Sequence, residues 1–376
     1  MEEEPPIYRL PHDTLHQIFS SLPLRQIILC RSLSKFFLHL LSTPSFLHLL
    51  STTLPPPPPP PPPHPPPHHH HHSPLPLFDP DHNTWLHFPL DFLPFHSPLP
   101  VASSPGLLYL WAQPQPQAQA QAQAQAHPTN TNTKSLLACN PLTRTFRLLP
   151  HLGSAWSRHG TVLVDSNQRV MVLTELAALY CQPHSTKWLK FSSNLPSKPR
   201  SPLLMNDSAY ALCDVGSPWR SHWKLYTCRL AAASASPWHR LDRPHWGDVL
   251  DVLRRPRLVR GLGNRILMVG GLKSSFALNA PCSTLLVLRL DLDTLRWDEA
   301  ARMPHDMFKC FRDSTKFKAF GAADRVCFSA KRIGKLALWD RHAADGVEWR
   351  WIDNLPGNGD GLYRGFVFEG RLNAVP

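Results

Sequence analysis

The sequence predicts a small α-helical module followed by a large all-β domain, and the β domain is predicted to be a β-propeller of six blades. Three observations support this division. Apolar side chains recur at helical spacing between residues 8 and 50. From residue 75 onward the chain consists of short β-rich runs bounded by Gly and Pro. Within those runs one aromatic signature recurs at intervals of 42 to 61 residues, the spacing of propeller blades once inserted loops are allowed for.

The helical module is predicted to span residues 1–50. Leu15, Ile18, Phe19 and Leu22 follow the i, i+3, i+4, i+7 spacing of one apolar helix face. Pro23 ends that helix, and further short helices follow up to Leu50. Because a segment of about 50 residues builds only a marginal core, we expect it to bury apolar surface on a partner.

The order of residues in this module resembles the F-box. At the positions where the F-box family usually has Val and Trp, the chain has Leu33 and Phe36. The resemblance implies docking onto the Skp-type adaptor of a Skp–cullin–F-box (SCF) ubiquitin ligase. The residues that carry the resemblance, and so the predicted adaptor-binding residues, are Leu10, Pro11, Leu15, Ile18, Leu22, Pro23, Leu24, Ile28, Arg31, Leu33, Lys35 and Phe36.

Residues 51–74 form a predicted linker rich in proline and histidine. Pro55 to Pro67 contains twelve prolines and one histidine, and His68 to His72 is a histidine run. A polyproline II segment of that length would span roughly 40 Å at about 3.1 Å per residue. The linker is therefore interpreted as a stiff spacer that uncouples the two modules, as a ligand for SH3- or WW-type grooves, or as a low-complexity expansion with no role.

The β domain is predicted to span residues 75–376, with a Gln-Ala-rich loop insertion at 113–134. Its recurring signature is a polar turn, an aromatic and a short apolar stretch that ends near a proline. The aromatics are Trp85, Phe146, Trp188, Trp238, Trp297 and Trp349. A β-sandwich with fortuitous aromatic spacing is the alternative.

One stretch, "MVGG" at 268–271 followed by a strand and "DTLRW", resembles a kelch repeat, in which the paired glycines permit close backbone packing. The order of an F-box and a degenerate kelch-like propeller resembles the plant F-box/kelch proteins. That resemblance implies a non-catalytic substrate receptor with a Skp-type adaptor and a cullin as partners. A propeller scaffold outside a ubiquitin ligase, or an enzyme built on a propeller, such as a copper oxidase or glycosidase, are the alternatives.

Patterns for enzyme chemistry were not found. The sequence lacks the Gly-x-Ser-x-Gly, HExxH and Walker A patterns, and the eight cysteines have no zinc-site spacing. No catalytic residue, metal or cofactor is therefore predicted. The cysteines are interpreted as reduced thiols of an intracellular protein, in the nucleus, the cytoplasm or both. The sequence has no run of 18 or more apolar residues, so no membrane-spanning helix is predicted.

The whole excess of positive side chains, a net charge of +12, lies in residues 73–376, which are the end of the linker and the predicted β domain. A segment interpreted as a loop, residues 254–260, contains Arg254, Arg255, Arg257 and Arg260. Because arginine pairs with carboxylate and phosphate groups, these four are predicted to bind a protein substrate that is acidic or phosphorylated. The alternative is a solvated basic surface that binds no partner. No RNA-recognition or helix-turn-helix pattern accompanies the charge, which favours that alternative over nucleic-acid binding.

The chain end is predicted to close the propeller. The first repeat is short of inner strands, and residues 364–376 continue beyond the last signature. Because an open propeller would expose unpaired strand edges, residues 364–376 are expected to supply inner strands to the blade that contains Trp85.

Overall fold

The computed structural model describes residues 6–53, 63–64, 74–80, 82–114, 134–230, 237–275, 282–312, 317–343, 346–356 and 361–376. Most of the predicted linker, and residues 115–133 of the predicted insertion, lie outside these described residues. Strands flank the insertion on both sides, Leu107–Pro114 and Ser135–Asn140.

The N-terminal module is a short 3₁₀ turn and four α-helices. Pro11 and Pro23 occupy the N-cap positions of the first two helices, where the missing N–H of proline costs nothing. The side chain of Ser34 accepts a hydrogen bond from the Phe37 amide at 3.2 Å and caps the third helix. The fourth helix ends at Thr53, three residues into the range predicted as linker. The elements are the 3₁₀ turn Pro6–Arg9, α1 (His12–Ser20), α2 (Leu24–Leu33), α3 (Lys35–Leu40) and α4 (Pro44–Thr53).

Among the described residues the β domain is a succession of antiparallel units, one of two strands and five of four strands, and the last two units are joined into one eight-stranded sheet by a parallel pairing of Arg260 with Ala322. Unit 1 is β2 (Leu75–Asp79) and β3 (Thr84–Phe88), after the two-residue strand β1 (Pro63–His64). Unit 2 is β4 (Phe95–Ser104), β5 (Leu107–Pro114), β6 (Ser135–Asn140) and β7 (Thr145–Leu148). Unit 3 is β8 (Thr161–Val164), β9 (Val170–Leu173), β10 (Ala177–Cys181) and β11 (Leu189–Ser192).

The second half of the domain continues the pattern. Unit 4 is β12 (Arg200–Met205), β13 (Ser208–Asp214), β14 (Trp223–Arg229) and β15 (His239–Leu241). Unit 5 is β16 (Leu253–Arg260), β17 (Arg265–Lys273), β18 (Cys282–Asp291) and β19 (Arg296–Arg302). Unit 6 is β20 (Phe317–Ala322), β21 (Arg325–Ala330), β22 (Leu336–Asp340) and β23 (Trp349–Ile352), and β24 (Arg364–Gly365) follows. Among the described residues three short helices connect units: α5 (Ser154–His159) before unit 3, the 3₁₀ turn Pro244–Trp246 before unit 5 and α6 (His305–Arg312) before unit 6.

The recurring aromatic marks the last strand of each unit. Trp85, Trp297 and Trp349 lie within the final strands of units 1, 5 and 6, and Trp188 immediately precedes the final strand of unit 3. The surroundings of these aromatic side chains differ from unit to unit. The Trp188 indole donates a hydrogen bond to the Pro150 carbonyl at 2.9 Å, whereas the Phe146 ring is exposed. The recurring aromatic signature in the sequence therefore corresponds to the structural repeat, with one signature at the final strand of each unit.

Each unit packs on the next through its own hydrophobic cluster, and the succession returns to its start. Clusters join units 2 and 3, units 3 and 4, units 4 and 5, and units 5 and 6. Phe78 and Trp85 of unit 1 pack against Phe320 and Leu338 of unit 6. Leu75 and Leu77 on the same hairpin pack against unit 2. The β domain therefore closes on itself, as a propeller does.

The first strands of the units lie beside one another. Neighbouring pairs are β4 with β8, β8 with β12, β12 with β16, and β16 with β20, and β20 also contacts β24. Such adjacency of first strands places them on the inside of the closed array. The predicted number of six blades stays a prediction, since unit 1 has only two strands among the described residues.

The prediction that residues 364–376, the C-terminal segment, supply inner strands to the blade with Trp85 is confirmed only in part: β24 lies beside β20 and pairs with β1, which contacts β2 of unit 1, but the rest of the segment forms no strand. Arg364–Gly365 pairs with Pro63–His64, and the sheet of unit 1 stays two-stranded. The segment instead packs Phe368 into the cluster between units 1 and 2. Its carbonyl groups accept hydrogen bonds from turns and side chains of unit 2, which hold an extended chain without a strand ladder.

Those hydrogen bonds require a close approach at Gly106. The Gly106 amide donates to the Glu369 carbonyl at 2.7 Å. Gly106 has φ +80°, and a Cβ there would lie 2.2 Å from Cβ of Ala374. The Asn140 side-chain amide donates to the carbonyls of Arg371 and Ala374, at 2.8 and 2.9 Å.

The expectation that the linker uncouples the two modules is wrong for the described residues, because the helical module rests directly on the β domain. Leu372 of the C-terminal segment is buried in the core of the helical module, and Leu142 of unit 2 packs beside it. Arg25 Nη1 lies 3.9 Å from the Asp79 carboxylate of unit 1. The C-terminal segment therefore packs between the two modules and contacts both.

Candidate functional site

The helical module exposes an unusual share of large apolar side chains. Sixteen large apolar side chains are exposed among the described residues, and six of them lie between residues 7 and 38. These six are Ile7, Leu10, Ile18, Leu29, Leu33 and Leu38. Because so few residues carry so much exposed apolar surface, this part of the module fits a protein-binding surface.

The predicted adaptor-binding residues divide into three groups. Leu15 is fully buried, so it supports the core of the module and is not available at the surface. A second group is exposed: Leu10, Pro11, Ile18, Pro23, Leu33 and Lys35. The third group is half-buried: Leu22, Leu24, Ile28, Arg31 and Phe36.

Leu24 lies at the junction with the C-terminal segment. A Cβ at Gly370 would lie 3.1 Å from Leu24 Cδ2 and 3.2 Å from Leu142 Cδ1. Leu22 and Leu24 both pack beside the core cluster that contains Leu372. Two of the predicted adaptor-binding residues are therefore close to a contact within the chain, which sequence reasoning did not anticipate.

Arg31 and Phe36 are fixed by local contacts. Arg31 donates to the Ser42 hydroxyl at 3.1 Å, and burial lowers the pKa of its guanidinium. Phe36 packs edge-on against Tyr8, with ring centroids 5.0 Å apart. Leu29 and Leu38, which sequence reasoning missed, are exposed on α2 and α3. The sequence could have indicated their exposure, since each is an apolar residue on the polar side of a short helix.

The segment with four arginines is a strand and not a loop. Residues 253–260 form β16, the first strand of unit 5, with a register shift between Arg254 and Arg257. Proline 256 is accommodated by that irregularity, because a proline has no N–H to give to a regular ladder. The interpretation as a loop was wrong because Pro256 and the charges resemble loop composition.

The structure brings only two of the four arginines together. Arg255 and Arg257 lie within electrostatic reach of Arg200, Lys318 and Arg364, which come from β12, β20 and β24. Arg254 interacts with Cys282 of β18, which the charge of Arg255 also reaches. Arg260 is at the far end of β16, beside Ala322.

We call Arg200, Arg255, Arg257, Lys318 and Arg364 the cationic cluster. Burial and the charges of the neighbouring arginines lower the pKa of Arg257 to about 10. The same causes lower the pKa of Lys318 to about 8. Burial, followed by the charge of Arg255, lowers the pKa of Arg200.

Metal-ligating groups, long apolar helices, cysteines and grooves bear on other kinds of site. The described residues contain no group of three or more metal-ligating side chains, and none of their helices is long and apolar enough to cross a bilayer. All eight cysteines are free thiols, and burial raises the pKa of Cys139 to about 12. A groove of about 450 Å³ lies on unit 3 between Trp156, Leu176 and Lys190.

The helical module and the whole chain are both similar to known proteins. Residues 7–49 match the F-box domain family. The chain is 54% identical over 389 aligned positions to "SKP1-interacting partner 15" of Arabidopsis thaliana, and the match covers 100% of both proteins.

Solved structures with similarity to the chain include two of low sequence identity. The β-propeller domain of the Trilobed protease from Pyrococcus furiosus gives a TM-score of 0.40 at 11% identity, over 71% of this chain and 72% of that one. AztD from Citrobacter koseri gives a TM-score of 0.33 at 11% identity, over 79% and 96%. The F-box at its N-terminus and the relative that matches it from end to end show that this chain belongs to the F-box proteins.

Proposed function

We propose that the chain is the substrate-recognition subunit of an SCF ubiquitin ligase. In this role the F-box binds a Skp-type adaptor, the adaptor joins it to a cullin, and the β domain captures the protein to be ubiquitinated. The chain itself is then non-catalytic, and the transfer chemistry belongs to other subunits. It acts inside the cell, in the nucleus, the cytoplasm or both.

One observation carries the proposal: exposed apolar surface is concentrated on the F-box. The exposed fraction of Leu33 is 73%, the second highest among the sixteen exposed large apolar side chains. Surface of this kind is stabilised when a partner covers it. The name of the Arabidopsis relative, SKP1-interacting partner 15, supports an adaptor of the Skp type as that partner.

The β domain supports the second half of the role by its architecture. A closed array of units presents loops at two rims and first strands along its inside, and both are surfaces that can hold a protein segment. We further propose that this domain is a degenerate kelch-like propeller. Gly270 and Gly271 support this, since a Cβ at either position would lie within 3 Å of a neighbouring side chain.

Two matched substitutions test the adaptor interaction. Leu33→Asp replaces an apolar contact with a charge on the F-box, and Leu176→Asp makes the same change at an equally exposed site, 68%, on unit 3. Burying a leucine is worth about 2 kcal/mol, so Leu33→Asp should weaken adaptor binding roughly 30-fold. Leu176→Asp should leave it unchanged.

The measurement is titration of purified full chain with a recombinant Skp-type adaptor. Circular dichroism of both variants serves as the folding control. Equal binding by the wild-type chain and Leu33→Asp would contradict this assignment of the adaptor surface. No binding by the wild-type chain would contradict the ligase role, and a scaffold outside a ubiquitin ligase would then be favoured.

A further inference from the structure

The loops of the β domain lie at two rims, and the F-box packs on one of them. Because neighbouring strands of each unit are antiparallel, the turns after the first and third strands share one rim, and the turn after the second strand lies at the other rim with the connections between units. Leu142, which packs on the F-box core, follows the third strand of unit 2, and Gly106, which bonds the C-terminal segment, follows its first strand. We call this end the F-box rim. The opposite end, the far rim, contains the connection 149–160 and the turns 174–176 and 215–222.

The two most exposed large apolar side chains among the described residues of the β domain are both at the far rim. The exposed fraction is 77% for Trp219 and 68% for Leu176. Trp219 lies in the turn after the second strand of unit 4, and Leu176 lies in the corresponding turn of unit 3. Units 3 and 4 are neighbours whose first strands lie side by side, so the two turns belong to one stretch of the rim.

The turn that carries Trp219 is held by backbone hydrogen bonds. The Val215 amide donates to the His222 carbonyl at 2.8 Å, and the Arg220 amide donates to the Ser217 carbonyl at 3.1 Å. Neither bond needs an indole, and an indole that stays in water forfeits the free energy of its burial. A turn already fixed in one conformation also loses little conformational entropy when a partner covers it. Trp219 is therefore explained by a role other than folding, and it fits the tryptophan anchors of protein interfaces.

A groove of about 450 Å³ opens at the same part of the far rim. Trp156 of α5 and Leu176 line it on unit 3, and Lys198 lines it from the connection between units 3 and 4. Beside Lys198, the Ser197 carbonyl accepts a hydrogen bond from the Cys213 thiol at 3.6 Å, next to the base of the turn that carries the exposed indole. The groove and the turn therefore form one surface. We call it the far-rim surface, and its members are Trp156, Leu176, Lys190, Lys198, Trp219 and Arg220.

The charges at the far-rim surface are mostly positive. Lys190 and Lys198 line the groove and Arg220 follows Trp219, and all three cationic side chains are exposed. None of the three forms an ion pair with Asp or Glu among the described residues. Glu175 is the one carboxylate that lines the groove in the part of the chain that the structure describes. An acidic partner therefore complements this surface, whereas a second copy of a chain with a net charge of +12 would be repelled.

We propose that the far-rim surface binds a segment of the captured protein that combines carboxylate side chains with a large apolar side chain. The apolar side chain enters the groove between Trp156 and Leu176, Trp219 packs on the segment, and the carboxylates face the cations around the groove. That the segment belongs to a protein captured for ubiquitination rests on the proposed function, whereas the chemistry that the surface selects does not. Because the surface and the F-box lie at opposite rims, the segment and the adaptor can be bound together.

Selection from a library of short random peptides tests the chemistry of the segment. The peptides are displayed on phage and selected on the immobilised full chain. We expect the enriched peptides to carry Asp or Glu together with Trp, Phe or Leu. Enrichment of basic or uncharged peptides, or no enrichment, would overturn the proposal.

Fluorescence polarisation with the most enriched peptide then tests the place of binding. Trp219→Ala should weaken binding at least roughly tenfold, as truncation of an interface anchor does. Lys198→Glu should weaken it roughly fivefold, and added salt should reduce that difference. The matched controls are Leu262→Ala and Lys187→Glu, which change an exposed leucine and an exposed lysine in turns of the F-box rim. Wild-type affinity in the first two variants, or equal weakening by the controls, would overturn the proposal.

Two measurements separate this proposal from other occupants and from the ligase role. In sedimentation, a dimer of the wild type that Trp219→Ala dissolves would assign the surface to a second copy and overturn the proposal. In the adaptor titration, Trp219→Ala should bind the Skp-type adaptor as the wild type does, because Trp219 lies at the rim opposite to the F-box. Adaptor binding without peptide enrichment would overturn the far-rim surface alone. Peptide binding at the far rim without adaptor binding would uphold this surface and overturn the proposed ligase role.

Discussion

Substitution of Leu372 by Ala tests whether the C-terminal segment holds the F-box on the β domain. The exposed fraction of Leu372 is 3%, and it lies among Leu15, Phe19 and Ile27 in the F-box core. A Leu→Ala change at a fully packed site costs about 2–5 kcal/mol, because it removes buried methyl groups and leaves a cavity. A value of about 3 kcal/mol corresponds to a population of the opened F-box roughly 100-fold higher.

Hydrogen exchange followed by mass spectrometry measures that opening. Amides of α1 and α2 should exchange roughly 100-fold faster in Leu372→Ala, while amides of units 3 and 4 should keep the wild-type rates. Val375→Ala is the matched control, since Val375 lies in the same segment and is 67% exposed. Wild-type exchange in α1 and α2 of Leu372→Ala would refute a structural role of the C-terminal segment in the F-box.

Two further predictions concern charges in the β domain. The first follows from the pKa of Lys318, which burial and the charges of Arg257, Arg364, Arg200 and Arg255 lower to about 8. Because the unfolded lysine keeps its proton to about pH 10.4, the protein should gain stability between pH 8 and pH 10, and Lys318→Gln should gain less; a urea midpoint of the wild type that falls over this range would contradict the lowered pKa. The second concerns the ion pair between Arg325 and Asp340 of unit 6, which is almost completely buried with Nε and Oδ2 2.7 Å apart. Asp340→Ala should cost about 3–5 kcal/mol in urea unfolding by leaving a buried charge, whereas Asp306→Ala, at an exposed pair with Lys309, should cost less than about 1 kcal/mol.

The F-box could be predicted well because its signals are local. Leu15 and Phe19 face the core at the predicted helical spacing, and Pro11 and Pro23 precede helices as expected. What the sequence could not reveal is which apolar residues stay exposed. Leu15 was predicted to bind the adaptor and is buried, whereas Leu29 is exposed, because the packing of four short helices decides burial and helix periodicity alone does not.

The units of the β domain were predictable for a similar reason. An aromatic near each final strand repeats along the chain, and the strands before it are runs of apolar residues. The cationic cluster was not predictable, because Arg200, Arg257 and Lys318 are about 60 residues apart in sequence. They become neighbours only when first strands of successive units lie side by side, which is a property of the closed array.

The direct contact between the modules also escaped prediction. A proline-rich linker suggested independence, but linker composition carries no information about whether the surfaces at its two ends meet. Leu372 is 322 positions beyond Leu50, the last predicted residue of the F-box module, and nothing around it marks it as part of that core. Its role is visible only from the packing of Leu372 with Phe46 and Leu50.

Native mass spectrometry of a reconstituted mixture tests the proposal that the chain joins a ubiquitin ligase through its F-box. The full chain is mixed with a recombinant Skp-type adaptor and a cullin, and the masses of the assemblies are recorded for the wild type and for Leu33→Asp. For the wild type we expect a complex with one copy of each subunit, in which the chain is present only when the adaptor is present. In Leu33→Asp the chain should be lost from that complex. A wild-type chain that stays alone in the complete mixture, or that binds the cullin without the adaptor, would contradict the proposal.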